Sequence, residues 1–410
     1  MRLLSARGFS SAALLPLFLA AGPGFAAVTT FHPAAMLDVE HSDNVLYVEG
    51  TQGPVADWAT WVALDLPLRR TGPRGSLEFG YRPSYVKYLD LSVLDHPEHR
   101  LRVLANTEPS RGSTFGFGLG YEKTQVQGVS GDPRSPDLFL ASRTDRDYYF
   151  GDVSWRKQAG EKWQWASGLH GSWAAYTPIS GLETGTSGTE LEDRTEYEFN
   201  VAPSRELSRS SRAGVEYRFR RFLLAASGDE SVNMLGFTFD RIVSRRVTFT
   251  MRLGAFSRNA TSTTETAPTD GGSSDGFQGG FMVRGTFRNG NLSLVADHGP
   301  SSGGALEGTS TDTAVGLLAG GGVERRWRWE ASARWARRES NAPVTPDLTS
   351  VGGGGSMEWL PTDSVGLRVG GDYVKQSGSE QESLNGSFTT VRFGLTWYPR
   401  GPEDEAGRTR

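Results

Sequence analysis

The chain has 410 residues, a formal net charge of −4 and no cysteine. So mild a charge argues against nucleic-acid binding, and the missing thiols exclude disulfides, thiolate metal sites and a lipid-modified N-terminal cysteine. Glycine is the commonest residue, at 52. Beyond the N-terminal region no apolar run is long enough for a membrane helix, and the composition suits outer-membrane strands that alternate apolar and polar residues.

In chain order, Arg2 and Arg7 supply a positive start, residues 12–21 an apolar run and Gly24-Phe25-Ala26 a small-residue cleavage site. Residues 1–26 therefore read as a signal peptide cleaved after Ala26, since about ten apolar residues fall short of the ~20 a helix needs to span. The mature chain is expected to be secreted, periplasmic or folded into the outer membrane of a diderm cell.

Period-two segments come next. Leu77, Phe79 and Tyr81 alternate with Glu78, Gly80 and Arg82, and Phe115 to Tyr121 alternate with Gly116, Gly118 and Gly120. Tyr197, Phe199 and Val201 alternate with Glu196, Glu198 and Asn200; Val215, Tyr217 and Phe219 alternate with Glu216, Arg218 and Arg220. The same pattern returns at 247–253, 327–335, 365–373 and 391–397. Each segment has one apolar face and one polar or glycine face, enough to cross a membrane at a tilt.

A soluble sandwich would alternate too. Two features favour the membrane. Aromatics gather toward strand ends (Trp163 and Trp165, Trp173 and Tyr176, Trp327 and Trp335, Trp397 and Tyr398), as interface girdles do. Connection lengths also alternate. Short turns are expected near 68–75, 108–112, 157–162, 203–210, 241–246, 288–291, 323–326 and 360–363. Asn289-Gly290 is the strongest hairpin signal, as the central pair of a type I′ turn. Longer loops are expected near 49–57, 88–98, 127–144, 177–193, 227–231, 258–275, 299–311, 338–349 and 376–387. The count gives an all-β, transmembrane, antiparallel up-and-down β-barrel of about 18 strands (16–20 fit the pattern) over 27–399, with a polar C-terminal tail at 400–410. Its location is the cell outer membrane, with the short turns and both barrel ends on the periplasmic side.

Charge divides the same way. Arg69, Arg70, Arg74, Arg205, Arg209, Arg241, Arg245, Arg246, Arg325 and Arg326 fall in the short turns. Asp90, Asp95, Glu98, Asp132, Asp137, Glu183, Glu190, Glu192, Asp193, Glu265, Asp270 and Asp275 fall in the long loops. These are either solvated hairpin ends or a basic rim that docks an acidic partner or gathers an anionic polymer.

At about eighteen strands the lumen stays aqueous unless a loop folds inward. Candidate pore-lining residues are Arg82, Arg102, Glu196, Glu198, Glu216, Arg218, Arg220, Arg252, Arg334 and Arg368. Their charges either pair across the wall or form a ladder that guides a hydrated solute. On the ladder reading, replacing Arg218 and Arg220 with Glu alters transport without preventing assembly. In 127–144, where Asp132-Pro133 precedes Leu138-Phe139-Leu140, the apolar run either inserts into the mouth as a gate or packs on another loop.

Catalytic chemistry is thin. His96-x-x-His99 in a Pro-containing loop could clamp a metal, but lacks a third ligand. His170 beside Ser172 is the best candidate for a hydrolase pair, and it reads more simply as lumen lining. No GxSxG, HExxH, Walker or EF-hand motif occurs. Residues 352–355 and 261–274 read as flexible loop composition. The chain is thus expected to be no enzyme, with no cofactor, no metal and no nucleic-acid partner.

The stretch Leu37-Asp38-Val39-Glu40-His41-Ser42-Asp43-Asn44-Val45 resembles the opening strand of outer-membrane β-barrels associated with exopolysaccharide export, of the exosortase and polysaccharide gene-cluster type. Asp43-Asn44-Val45 matches a D-N-[VIL] element of that group. Tyr81-Arg82-Pro83-Ser84-Tyr85-Val86-Lys87-Tyr88 resembles the group's next pair of strands, and His99-Arg100-Leu101 resembles the start of the strand after them. The likeness covers the first quarter of the chain. It implies a conduit for a secreted polysaccharide, working with a periplasmic polysaccharide-export protein. The chain departs from many outer-membrane barrels in continuing past Trp397-Tyr398.

Three readings compete: a passive polysaccharide-export barrel, an outer-membrane porin for small hydrophilic solutes, and an enzyme or adhesin. An enzyme would depend on His170 or Ser172, and an adhesin on its extracellular loops.

Overall fold

The computed structural model describes residues 27–45, 54–128, 139–179, 193–225, 228–261, 273–301, 310–323, 326–340, 347–378 and 385–399. The expected export signal and C-terminal tail lie outside them.

Nineteen strands succeed one another: β1 (Val28–Phe31), β2 (Ala34–Ser42), β3 (Asp57–Gly72), β4 (Gly75–Tyr88), β5 (His96–Ser110), β6 (Ser113–Gly128), β7 (Phe139–Ala159), β8 (Trp163–Pro178), β9 (Arg194–Ser208), β10 (Ser211–Leu224), β11 (Gly228–Ser244), β12 (Val247–Thr261), β13 (Ser273–Phe287), β14 (Gly290–Ser301), β15 (Ser310–Val323), β16 (Trp327–Ser340), β17 (Leu348–Thr362), β18 (Val365–Gly378) and β19 (Gly386–Trp397). Each strand from β2 to β19 pairs antiparallel with the next, and β19 pairs with β2. That closes an 18-stranded barrel and leaves no free edge. β1 continues the line of β2 along β3 in one register, Val28 opposite Thr71 and Ala34 opposite Asp65. The break falls at His32-Pro33, where proline has no ladder N–H to give.

The strand ends place all eight short turns where the sequence expects them, and the strand ends that flank the nine expected longer loops share the other rim. The start of β2 and the end of β19 share the short-turn rim, because Trp397 pairs with Ala35. Strands run further than the sequence suggests: Arg69 and Arg70 belong to β3, Arg205 to β9 and Arg241 to β11. At the opposite rim Glu98 lies on β5, and Asp275 lies on β13. Strands that emerge from lipid into water turn polar on both faces, so hydropathy reads their ends as loop. At the Asn289-Gly290 signal, Phe287 pairs with Gly290, so the two turn residues are Arg288 and Asn289. Gly290 has no positive φ; a Cβ there would meet the Gly320 carbonyl at 2.5 Å, and close backbone approach is what requires glycine.

Of the expected gate in 127–144, residues 129–138 lie outside the described residues, as do most of the expected loop acids, while Phe139 and Leu140 of its apolar run belong to strand β7. Gly352 to Gly355, expected as flexible loop, sit in mid-strand on β17. Neighbouring side chains lean over that strand. A Cβ on Gly354 would overlap Asp372 Oδ1, and one on Gly352 would lie 3.3 Å from Arg334 Nε.

The outer surface is a lipid-facing band. Val62, Leu169, Leu235, Phe281 and Phe393 are exposed large apolar residues on it. Aromatics flank the band: Trp163, Trp165, Trp327, Trp359 and Trp397 toward the short turns, and Trp58, Tyr85, Tyr149, Trp173, Trp335 and Tyr373 toward the loops. Trp165 and Trp173, like Trp327 and Trp335, are eight residues apart. That is ~26 Å along a strand and roughly 20 Å of height after tilt, close to the expected ~25 Å apolar band. The chain is an outer-membrane β-barrel.

Candidate functional site

The inner wall carries the polar half of each alternation, and glycine sets its texture. Inward glycines repeatedly face a large inward residue on the neighbouring strand, which folds flat over them. Phe150 lies over Gly120, Phe256 over Gly276, Asn200 over Gly168 and Asp38 over Gly394. Among the described residues these side chains lie along the wall and not across the lumen. Cavities of about 1060 and 1410 Å³ lie against it.

Register brings most of the candidate pore residues together. Asp152, His170, Glu198 and Arg220 form one cross-strand row over β7 to β10. His170 Nδ1 lies 2.6 Å from Asp152 Oδ1. Glu198 binds Arg220 and lies 3.4 Å from Arg218 Nε. Glu216, with a 9 % exposed side chain, holds Arg218 at 2.7 Å and Arg252 at 2.7 Å. Arg252 reaches it from β12 across β11, where the residue opposite Glu216 is Gly236. Arg368 reaches Asp38 at 2.6 Å across β19, over Gly394. Arg334 and Asp372 lean over β17 from either side. Glu196 lines the smaller cavity with Glu198 and Arg220. Arg82 and Arg102 stand apart on β4 and β5, away from this network.

Sequence reasoning missed several partners. Asp38 and Glu40 close the barrel with Arg368 and Arg392, the latter with Nε 2.8 Å from Glu40 Oε2. At the loop rim Arg258 meets Glu230 at 2.7 Å, and Arg338 forks onto Asp312 at 2.8 and 2.7 Å. Arg258 and Arg338 fell at the edges of expected loops. Counting inward parity two residues further along each strand would have found them.

The loop rim also carries two inward apolar clusters. One joins Val45, Ala59, Val86, Tyr88 and Leu94, with Ile179 from the end of β8 packed on it. The other joins Phe222, Val232, Met234 and Phe256. The Asp43-Asn44-Val45 element sits at this rim on the closing seam. The Thr389 N–H donates to Asp43 Oδ1 at 2.7 Å, and Asn44 Nδ2 donates to the Ser387 carbonyl at 3.4 Å. Its role here is to pin β2 to β19.

His96 and His99 lie on strand β5, not in a loop, and point to opposite faces. His96 Nδ1 contacts the Leu94 carbonyl at 2.7 Å, and His99 Nδ1 the Tyr81 hydroxyl at 3.0 Å. The spacing that suggested a metal clamp does not bring the two rings together. Among the described residues no cluster of three or more His, Asp or Glu side chains is arranged to hold a metal. His170 has an acid partner, and Ser172 lies two residues along the same inward face.

No family model matches the chain, and no curated protein matches it. Among solved structures it is similar to outer-membrane β-barrel channels. Pseudomonas aeruginosa OccK2 (OpdF) is 11 % identical at a TM-score of 0.46, over 92 % of this chain and 100 % of that one. Acinetobacter baumannii OccAB2 is 10 % identical at 0.46, over 90 % and 98 %. Pseudomonas aeruginosa OpdK, solved with vanillate, is 10 % identical at 0.45, over 92 % and 99 %.

Proposed function

We propose that this barrel is a passive outer-membrane channel for small hydrophilic solutes. The observation that carries the reading is the inner wall, largely polar below the apolar clusters of the loop rim and smoothed by glycines over which long side chains lie flat. Such a wall maintains a hydrated bore at the cost of packing, which a purely structural barrel has no reason to do. Its charges are largely neutralised as pairs, so a solute passes fixed dipoles and hydrogen-bonding groups without meeting a high charge barrier.

Export of a secreted polysaccharide, with a periplasmic export protein at the basic rim, is the second reading. Its support is the resemblance over the first quarter of the chain. Against it stands the loop rim, where an apolar cluster around Val45 and Leu94, with Ile179 packed onto it, faces inward and offers a sugar polymer few hydrogen-bonding groups. The Asp43-Asn44-Val45 element, central to that resemblance, has a sufficient structural role at the seam.

Reconstitution of the full barrel in planar bilayers and liposomes tests this. The channel reading expects stepwise KCl current and swelling in monosaccharides that falls away for oligosaccharides. An electrically silent barrel, with deletion cells that retain polymer inside the envelope, would favour export instead.

A further inference from the structure

We propose that the lipid-facing side of the short-turn rim, over strands β8 to β11, binds an anionic phospholipid, with Arg205 and Arg241 holding its phosphate. The site lies on the outer face of the wall, so it stands apart from the channel reading.

Alternation sorts the charges of this rim onto two faces. Among the described residues, the charged side chains that face outward from the strands in the short-turn half are all basic: Arg70, Lys157, Arg205 and Arg241. Acids at the same strand ends have inward parity. Glu206 and Asp240 stand on either side of Arg212, itself inward, across the two ladders of β10. The loop rim differs, because its outward charges include carboxylates. There Arg221 meets Asp229 at 2.9 Å, Arg337 meets Glu339 at 3.2 Å, and the Tyr121 hydroxyl donates to Asp147 at 2.8 Å. One membrane interface therefore meets unmixed positive charge and the other does not.

Two of these cations frame a hollow. Trp163, Arg205, Ala213 and Phe239 are successive members of one outward row over β8 to β11. Trp163 belongs to the aromatic girdle, so Arg205 stands at headgroup depth. Its guanidinium lies 5.7 Å from a Trp163 ring centre, a cation–π contact that leaves its N–H edges free. Arg241 is in the next row toward the turns, opposite Ser211 on β10 and Phe249 on β12. The two arginines are two strands apart, ~9.6 Å, both exposed, with only the small side chains of Ser211 and Ala213 between them. Among the described residues neither has a carboxylate partner. A phosphate over Ser211 and Ala213 is within reach of both planar forks. Its acyl chains then run toward mid-membrane over Val215, between exposed Trp165 and Phe237. Free phosphate would leave that apolar half uncovered, and a zwitterionic lipid would bring its own cation to the arginines. An anionic phospholipid of the periplasmic leaflet fits both halves, and that leaflet is the one a short-turn rim meets.

The test uses the full barrel in phosphatidylcholine vesicles, with Trp163 as sole tryptophan and the others replaced by phenylalanine. Probes are phosphatidylglycerol and phosphatidylcholine, each brominated high in the acyl chains, at equal mole fraction. Trp163 quenching is expected to show phosphatidylglycerol enriched on the order of tenfold, and R205Q/R241Q should bring the ratio to about one. A barrel that keeps only Trp359, which has no outward cation beside it on β16 or β18, should show no preference. Native mass spectrometry of the unaltered barrel, equilibrated with both lipids in detergent, should retain phosphatidylglycerol selectively. That readout is independent of the tryptophan replacements, and heat-modifiable gel mobility checks that each variant is folded. Equal quenching by the two lipids at Trp163, an equal preference at Trp359, or a preference that survives R205Q/R241Q would overturn the site. So would its loss to sodium phosphate but not to sodium chloride of the same ionic strength, which would make the ligand free phosphate. Capture of soluble polyglutamate through the two arginines, without lipid preference, would give the face to an acidic partner instead.

Discussion

Arg368 on β18 reaches Asp38 on β2 at 2.6 Å, passing over Gly394 on the strand between them. The pair spans the seam where the last strand meets the first, so a single missing side chain lets an ion pair help close the barrel. The Arg252–Glu216 pair over β11 repeats the device. It explains why so many inward positions are glycine.

Gly394→Leu places a side chain where Asp38 Oδ1 already lies. Overpacking of that kind costs about 1–3 kcal/mol, and Asp38 and Arg368 lose their geometry as well. The heat-modified gel shift should move to lower temperature. Gly80→Ala, where a Cβ meets nothing within 4 Å, should leave it in place. If the two variants melt together, the ion pair does not hold the seam.

Asp43 and Asn44 pin the same seam at the loop rim. Asn44, 2 % exposed, loses its 3.4 Å side-chain bond to the Ser387 carbonyl in N44A, and that variant should be destabilised by about 1 kcal/mol. D43A should lose less, its bond being exposed. Urea titration of barrels folded in vesicles reads the difference. Loss of polymer export with unchanged stability would revive the secretion reading.

Glu216 serves two arginines. E216A removes a carboxylate from both, leaving Arg218 with Glu198 at 3.4 Å, and should cost about 1–3 kcal/mol, whereas R252Q removes a partly exposed partner and should cost under about 1 kcal/mol. The same logic changes the expectation for Arg218 and Arg220. Replacing both with Glu would set new carboxylates against Glu198 and Glu216, so assembly yield should fall along with transport. Wild-type yield of that double variant would mean the pairs add nothing to the wall.

Single-tryptophan variants report the faces. Trp165 and Trp173 should each be quenched by brominated lipid, most strongly with bromine near opposite headgroup regions. Trp61 should resist, because it faces the lumen with the Arg392 guanidinium 5.8 Å from its ring centre. Quenching of Trp61 would reverse the inward assignment of β3.

Fold class was legible because lipid imposes it. Every membrane-exposed residue must be apolar and every lumen residue tolerant of water, so Leu77, Phe79 and Tyr81 against Glu78, Gly80 and Arg82 could be read without a neighbour in sight. Turn signals and alternating connection lengths then supplied the strand number. Where water borders both faces of a strand the signal vanished, and Arg241 and Glu98 read as connection. Gly352 to Gly355 misled for a related reason: without side chains there is no period to see, and their strand owes its place to Asp372 and Arg334 leaning across it.

By itself the sequence determined that the chain is a barrel and which face of each clear strand turns inward, and bounded the strands at about 18, because those are one-dimensional consequences of a two-fold period in lipid; closure at 18 came from the pairing of β19 with β2. Only the tertiary structure decided which charges meet. Pairing of Arg368 with Asp38, 330 residues apart, depends on the register between strands. So do the setting of Arg205 and Arg241 on either side of β10 and the placement of Phe150 over Gly120. A shift of one residue in register would turn each of these side chains to the opposite face.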